Sequence, residues 1–97
     1  MIEVKHTKGR ITVSGHAGYA PIGQDIVCAA FSAVLQTFLA SVERLTADEI
    51  KTDIAAGNAV IEYENLSERG QLLMDSFFIG VQGIAAGYPQ HLKVTKH

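Results

Sequence analysis

The sequence predicts an α+β domain in the order ββαββαβ, a mainly antiparallel sheet packed with two helices. Three observations carry this expectation. Short stretches alternate apolar and polar residues with a period of two, and they come in pairs around turn residues. Two longer stretches repeat apolar residues at three- and four-residue steps. No internal repeat or low-complexity tract interrupts them, and strands gathered in hairpins between helices imply an antiparallel sheet.

In chain order, Ile2, Val4 and His6 alternate with Glu3, Lys5 and Thr7, as in a half-buried strand. Lys8-Gly9 is a turn signal, and Ile11 and Val13, alternating with Thr12 and Ser14, complete a hairpin. His6 falls on the apolar face, where packing or an edge position, rather than chemistry, is its plain reading. Residues 15–24 form a loop, in which Gly15, Gly18 and Gly23 open conformations closed to other residues and Pro21 stiffens one point. The loop is either a simple connection or a flexible active-site segment that closes over an extended substrate.

Asp25 is the N-cap candidate of a helix over about Ile26–Leu45, its carboxylate accepting from the Cys28 amide. Val27, Phe31, Val34, Phe38, Val42 and Leu45 make one stripe of this helix. Cys28, Ser32, Leu35 and Leu39 make the next. Small residues at Ala29, Ala30, Ala33 and Ala40 let neighbours approach. So much of the circumference is apolar that a second helix or another protomer is expected to help cover it.

Residues 46–49 are a polar break. Residues 50–54 and 59–64 flank Ala55-Ala56-Gly57-Asn58 and read as a second hairpin, with Val60, Glu62 and Glu64 facing away from Ile61 and Tyr63. Glu62 and Glu64 are a solvated face or, in the other reading, an acidic rim for a basic partner. Asn65 and Ser67 are cap candidates for a helix over about residues 68–86, stopped by Gly87 and Pro89. Leu72, Leu73, Phe77, Val81, Ile84 and Ala85 give its expected buried stripe, widened by Met74 and Phe78. Leu92 and Val94 suggest a last strand.

The 97 residues suffice for one domain, 1–97, with a single modest core. Hydrophobic residues are 47% of the chain and charged residues 19%, a folded rather than a disordered composition. A net charge of −2 supplies no basic surface, so no direct nucleic-acid partner is expected. A lone cysteine excludes an intrachain disulfide and suits a reducing compartment. The start, MIEVKHTKG, has no signal-peptide core, and no stretch approaches the roughly 18 to 20 apolar residues of a membrane span. A cytoplasmic protein without a membrane partner is the expectation.

The chemistry concentrates in residues 15–32, GHAGYAPIGQDIVCAAFS. A lone cysteine is commonly a small buried hydrophobe. Three features favour a nucleophile instead. Cys28 falls in the first helical turn, where unpaired amides and the macrodipole favour a thiolate. His16 follows a strand end that can lie beside that turn. The loop between them is long and flexible enough to fold back. Such an imidazole can take the thiol proton and later protonate a leaving amine. Asp25 opposes a thiolate unless its charge is taken up by capping, the favoured role, or by orienting His16. Ser32, one turn after Cys28, either bonds back to the helix or lines the site. Zinc would need three or four ligands, and only scattered His6, His91 and His97 remain, so neither metal nor cofactor is expected.

The stretch Gly15-His16-Ala17-Gly18-Tyr19-Ala20, then Gly23-Gln24-Asp25-Ile26-Val27-Cys28-Ala29-Ala30-Phe31-Ser32, resembles the ribosomal-processing cysteine protease family, Prp. The resemblance covers nearly the whole chain in length and element order. It implies that His16 and Cys28 are the catalytic pair. It implies removal of the N-terminal extension of a large-subunit ribosomal protein, number twenty-seven in the standard series, by a small homodimer. The extension ends in an aromatic-rich sequence. Phe31 stands where the family often has valine, a change for packing rather than chemistry.

Within that reading, Cys28 attacks through a thioester and His16 serves as base and then acid. Amides near the helix start, of Cys28 or a loop glycine, are candidates to hold the oxyanion. Gly15, Asp25 and Ser32 are supporting residues. Gly18, Tyr19, Ile22 and Gly23 are substrate-loop candidates, with Tyr19 or Ile22 against the aromatic residues. The competing class is a non-catalytic module that binds a ribosomal tail or partner helix, with Cys28 structural. A redox sensor would need a resolving cysteine from another chain.

Overall fold

Seven elements follow one another in the order expected from the sequence. They are β1 (Ile2–Thr7), β2 (Arg10–Ser14), α1 (Ile26–Leu45), β3 (Ile50–Ala55), β4 (Asn58–Tyr63), α2 (Glu68–Gly87) and β5 (Leu92–Lys96). The structure, a computed structural model, describes residues 1–21 and 23–96. Ile22 and His97 therefore lie outside the described residues.

The strands form one sheet in the order β3-β4-β2-β1-β5. Three pairings are antiparallel, and β1 with β5 is parallel. α1 joins β2 to β3 across β4, and α2 joins β4 to β5 across β2 and β1. Each helix is thus a crossover between parallel strands. The two crossovers start from antiparallel strands and run in opposite directions along the sheet. Right-handed connections therefore put both helices on one face. Burial agrees: Ile2, Val4, Ile11, Val13, Ala59, Ile61 and Leu92 are buried, while their alternates Glu3, Lys5, Arg10, Ser14 and Glu62 are exposed. Register lines up the core face, with Val4 opposite Val13 and Val94, and Ile11 opposite Ile61.

Between the sheet and the helices lie Val27, Phe31, Leu35, Phe38 and Val42 of α1 and Met74, Phe77, Phe78 and Val81 of α2. Phe77 sits at the centre, stacked on Phe38 at 4.9 Å between ring centroids and edge-on to Phe31 and Phe78. Met74 and Phe78 are core, as expected. Ser67, not Asn65, caps α2, accepting from the Gly70 amide at 3.1 Å. Asn65 instead occupies a left-handed turn conformation at φ 52°.

Two stripe residues depart from expectation. Leu72 is 68% exposed and Leu45 is 56% exposed. Leu72 stands five residues before Phe77, about 140° round the helix from it at 3.6 residues per turn, so it faces away from the core. Leu45 is the last residue of α1, beyond the turn that buries Val42. The expectation about membrane spans is also corrected. By length and composition alone, α1 is long and apolar enough to cross a bilayer, though here it packs on α2 and the sheet.

Candidate active site

Five chain segments meet at one end of the sheet: the start of β1, the end of β2, the β3–β4 turn, the start of α1 and the connection into β5. Gly15 makes the first junction. It leaves β2 at φ +88°, and a Cβ there would run into the Met1 carbonyl. Only glycine tolerates both the left-handed backbone and that approach. Its N–H donates to the Gly57 carbonyl at 2.9 Å, which ties the loop to the β3–β4 turn. The exposed His16 ring then rests on the same turn. A Cβ built on Gly57 would stand 2.9 Å from His16 Nε2.

Ala17 is buried, 2% exposed, and its N–H donates to Cys28 Sγ at 3.4 Å. This backbone contact is what joins the histidine segment to the sulfur. Cys28 is the third residue of α1, half-buried, and packs against the core on one side. It is neither a fully buried hydrophobe nor a free surface thiol.

Asp25 caps α1 as its position implies. Oδ1 accepts from the Val27 and Cys28 amides at 3.0 and 2.9 Å, and Oδ2 accepts from the Tyr19 amide at 3.1 Å. These donors hold its carboxyl below the usual value, the Cys28 amide foremost. Its charge is spent on the helix and the loop, not on the His16 ring. One expectation changes here. The Cys28 N–H is engaged by Asp25, so as an oxyanion donor it would first have to leave the carboxylate.

Of the other supporting candidates, Gly18 and Gly23 have φ of +70° and +90°, with open space where a Cβ would go. Ser32 is exposed one turn along α1. Ile22, the remaining loop candidate, falls outside the described residues. Two residues absent from the sequence reading of the site, His91 and Tyr88, join it. His91 Nδ1 donates to the Ala17 carbonyl at 2.9 Å. Tyr19 stands edge-on to Tyr88 and His91, at 5.5 and 5.3 Å between centroids. His91 is 74 residues from Ala17, and no local spacing signals the pairing.

The sheet's other end carries different groups. His6 Nε2 is 2.6 Å from the Tyr63 hydroxyl, and the ring stacks on Phe78 at 4.7 Å. Burial first, and Lys96 second, lower its pKa. It is a packing histidine on an inner strand, paired with Ile11 on one side and Lys96 on the other. A groove between α1 and β3, lined by Leu39, Glu43, Ile50, Lys51 and Tyr63, also lies away from Cys28. Among the described residues, no three His, Cys, Asp or Glu side chains group as metal ligands.

The arrangement resembles known proteins over its full length. The profile of the cysteine protease Prp family matches residues 1–93. The ribosomal processing cysteine protease Prp of Bacillus subtilis is 29% identical over 103 aligned residues, spanning 97% of this chain and 92% of that protein. The crystal structure of an essential ribosomal processing protease Prp from Staphylococcus aureus, in complex with a covalently linked product peptide, superposes with a TM-score of 0.94. The two are 25% identical, with all of both chains covered. A Streptococcus mutans protein of known structure is 26% identical at a TM-score of 0.73, covering 98% of this chain and 90% of its own. With its α+β fold, its element order and a profile match over nearly every residue, the chain belongs to the cysteine protease Prp family.

Proposed function

We infer that this protein is the endopeptidase that removes the N-terminal extension of large-subunit ribosomal protein twenty-seven. One observation carries the assignment of roles. The one thiol of the chain stands in the first turn of α1, against the backbone of the residue that follows His16.

In the proposed reaction Cys28 Sγ gives its proton to the His16 imidazole and attacks the scissile carbonyl carbon. The C–S bond forms as the carbonyl electrons move to oxygen. Collapse of that oxyanion breaks the C–N bond, and the imidazolium returns the proton to the departing amine. The thioester left on Cys28 is hydrolysed by a water that His16 deprotonates. A carboxylic acid leaves and the thiol is restored. No redox partner or cofactor enters.

Gly18, Gly23 and Tyr19 are proposed to meet the extended peptide. The Tyr19–Tyr88–His91 cluster supplies ring edges and faces for the aromatic residues of the extension. The assembly proposed is a homodimer in the cytoplasm. Its support is the apolar surface left open on single protomers, with Ile54, Leu72 and Ile79 each more than half exposed.

The test is incubation with the extended ribosomal protein of the same source, read by intact mass. Cleavage at one site by the wild type, and none by Cys28→Ala with an unchanged Tm, is expected. Cleavage by Cys28→Ala at the wild-type rate refutes the assignment. Iodoacetamide separates the binding-module reading. A nucleophile labels fast in the folded protein and is protected by substrate peptide, whereas a packed thiol labels only on unfolding.

A further inference from the structure

We propose that His91, on the connection into β5, is a positioning residue for the protease reaction, holding the Ala17 amide on the Cys28 sulfur. The inference rests on the assignment of Cys28 as nucleophile. Its basis is the pair of bonds made by one buried residue. The Ala17 N–H points at Cys28 Sγ at 3.4 Å, and the Ala17 carbonyl accepts from His91 Nδ1 at 2.9 Å. Ala17 has no functional side chain, so its backbone must be aimed by what grips its two ends. The loop is tied on either side, by the Gly15 N–H on the Gly57 carbonyl and the Tyr19 N–H on Asp25, but neither bond grips the Ala17 peptide groups themselves. Gly15 and Gly18 flank the His16-Ala17 pair, and Gly18 has no neighbour within reach of a Cβ.

His91 itself is rigidly held. Its N–H donates to the Tyr88 carbonyl and its carbonyl accepts from the Ile2 amide, both at 2.9 Å. Its ring also meets the Tyr19 ring edge-on at 5.3 Å. The side chain therefore ties the histidine segment to the β1–β5 parallel pair. The imidazole need not titrate for this, because Nδ1–H donates in the Nδ1-protonated neutral form and in the cation alike. The amide it aims supports negative charge on the sulfur and keeps His16, its chain neighbour, in place.

The test uses His91→Ala and His91→Asn in the full-length protein. Asn places an amide N–H where Nδ1 stands, so it restores the bond without the ring. Both substitutions keep the backbone bonds of His91. His91→Ala is expected to lower kcat for the extension peptide, and the rate of iodoacetamide labelling of Cys28, by about tenfold each, the worth of one hydrogen bond to a reactive group. KM should change by less than about twofold, because uniform binding is untouched. His91→Asn is expected to recover most of both rates. Wild-type rates in His91→Ala overturn the proposal. So does equal loss in His91→Asn, which would assign the effect to ring packing. Should His91→Ala fold poorly, the Asn variant alone decides, since its labelling rate is read on folded protein. The Cys28→Ala control keeps the two questions apart. Activity surviving there removes the nucleophile assignment, whereas a silent His91 with an inactive Cys28→Ala removes only the positioning role.

Discussion

Gly57 offers the sharpest test of how the site is held, because two separate costs of a methyl group can be pulled apart. In Gly57→Ala the backbone must keep φ near +72°, and the new Cβ would lie 2.9 Å from His16 Nε2 and 3.4 Å from Cε1. The left-handed conformation costs an L-residue at least about 1 kcal/mol, or roughly 4–8 °C in Tm for a domain of this size. Ordinary contact begins near 3.4 Å, so the imidazole must retreat by about 0.5 Å. A displacement of 1 Å near reacting groups costs about a hundredfold in rate, so half that distance corresponds to about tenfold in kcat/KM. The assay is cleavage of the extension peptide, with Tm measured alongside.

Gly9→Ala is the control. Gly9 has φ +75°, and its Cβ would sit 3.2 Å from the Tyr63 carbonyl, at the far end of the sheet from His16. It carries a similar backbone cost without touching the ring. The reasoning predicts a fall in Tm for both variants and a fall in kcat/KM for Gly57→Ala alone. Equal losses of activity in the two, or full activity in Gly57→Ala, would refute it.

Three further substitutions test the site and the core. Asp25→Ala frees the Val27, Cys28 and Tyr19 amides together, so slower peptide cleavage and faster proteolytic nicking within residues 15–24 are expected, with helix content by circular dichroism nearly unchanged. Because its folded pKa lies below the ordinary 3.8, the stabilisation from Asp25 is full above that value and is lost as pH falls through the lower one. Acid unfolding of Asp25→Asn should accordingly lack that contribution. Phe77→Ala removes the ring at the centre of the aromatic core, 3% exposed, and is expected to lose about 3–5 kcal/mol in urea denaturation, a large share of the stability of any small domain.

Much of the fold was legible because its signals are local. Alternation placed β1, β2, β4 and β5, the turn residues Ala55-Ala56-Gly57-Asn58 marked β3 as the other arm of a hairpin, and the Asp25 cap set the start of α1 at Ile26. The His16–Cys28 segment announced itself through a strand end, a glycine loop and a helix start in close succession. What stayed hidden depends on partners far along the chain. His91 and Gly57 approach the loop only because the sheet places β5 beside β1 and β4 beside β2. Leu72 was misplaced because apolar steps alone do not fix the rotation of a helix. Phe77 and Phe78, the larger rings, decided which face of α2 turned inward.

The placement of two acidic groups at one helix start shows why the loop matters to the chemistry. A thiolate and a carboxylate in the first turn of α1 would compete for the same amides and repel each other. The structure divides the donors between them. The Val27 and Cys28 amides go to Asp25, and the sulfur takes its N–H from Ala17, across the loop. The first-turn amides that argue for a reactive cysteine at sequence level are therefore occupied by the cap. What remains for the sulfur is the helix field and an amide on a segment flanked by glycines. Asp25 also holds that segment, through the Tyr19 amide on its second oxygen. One carboxylate thus starts the helix and holds the loop beside it, and it is the loop that supplies the sulfur's hydrogen bond.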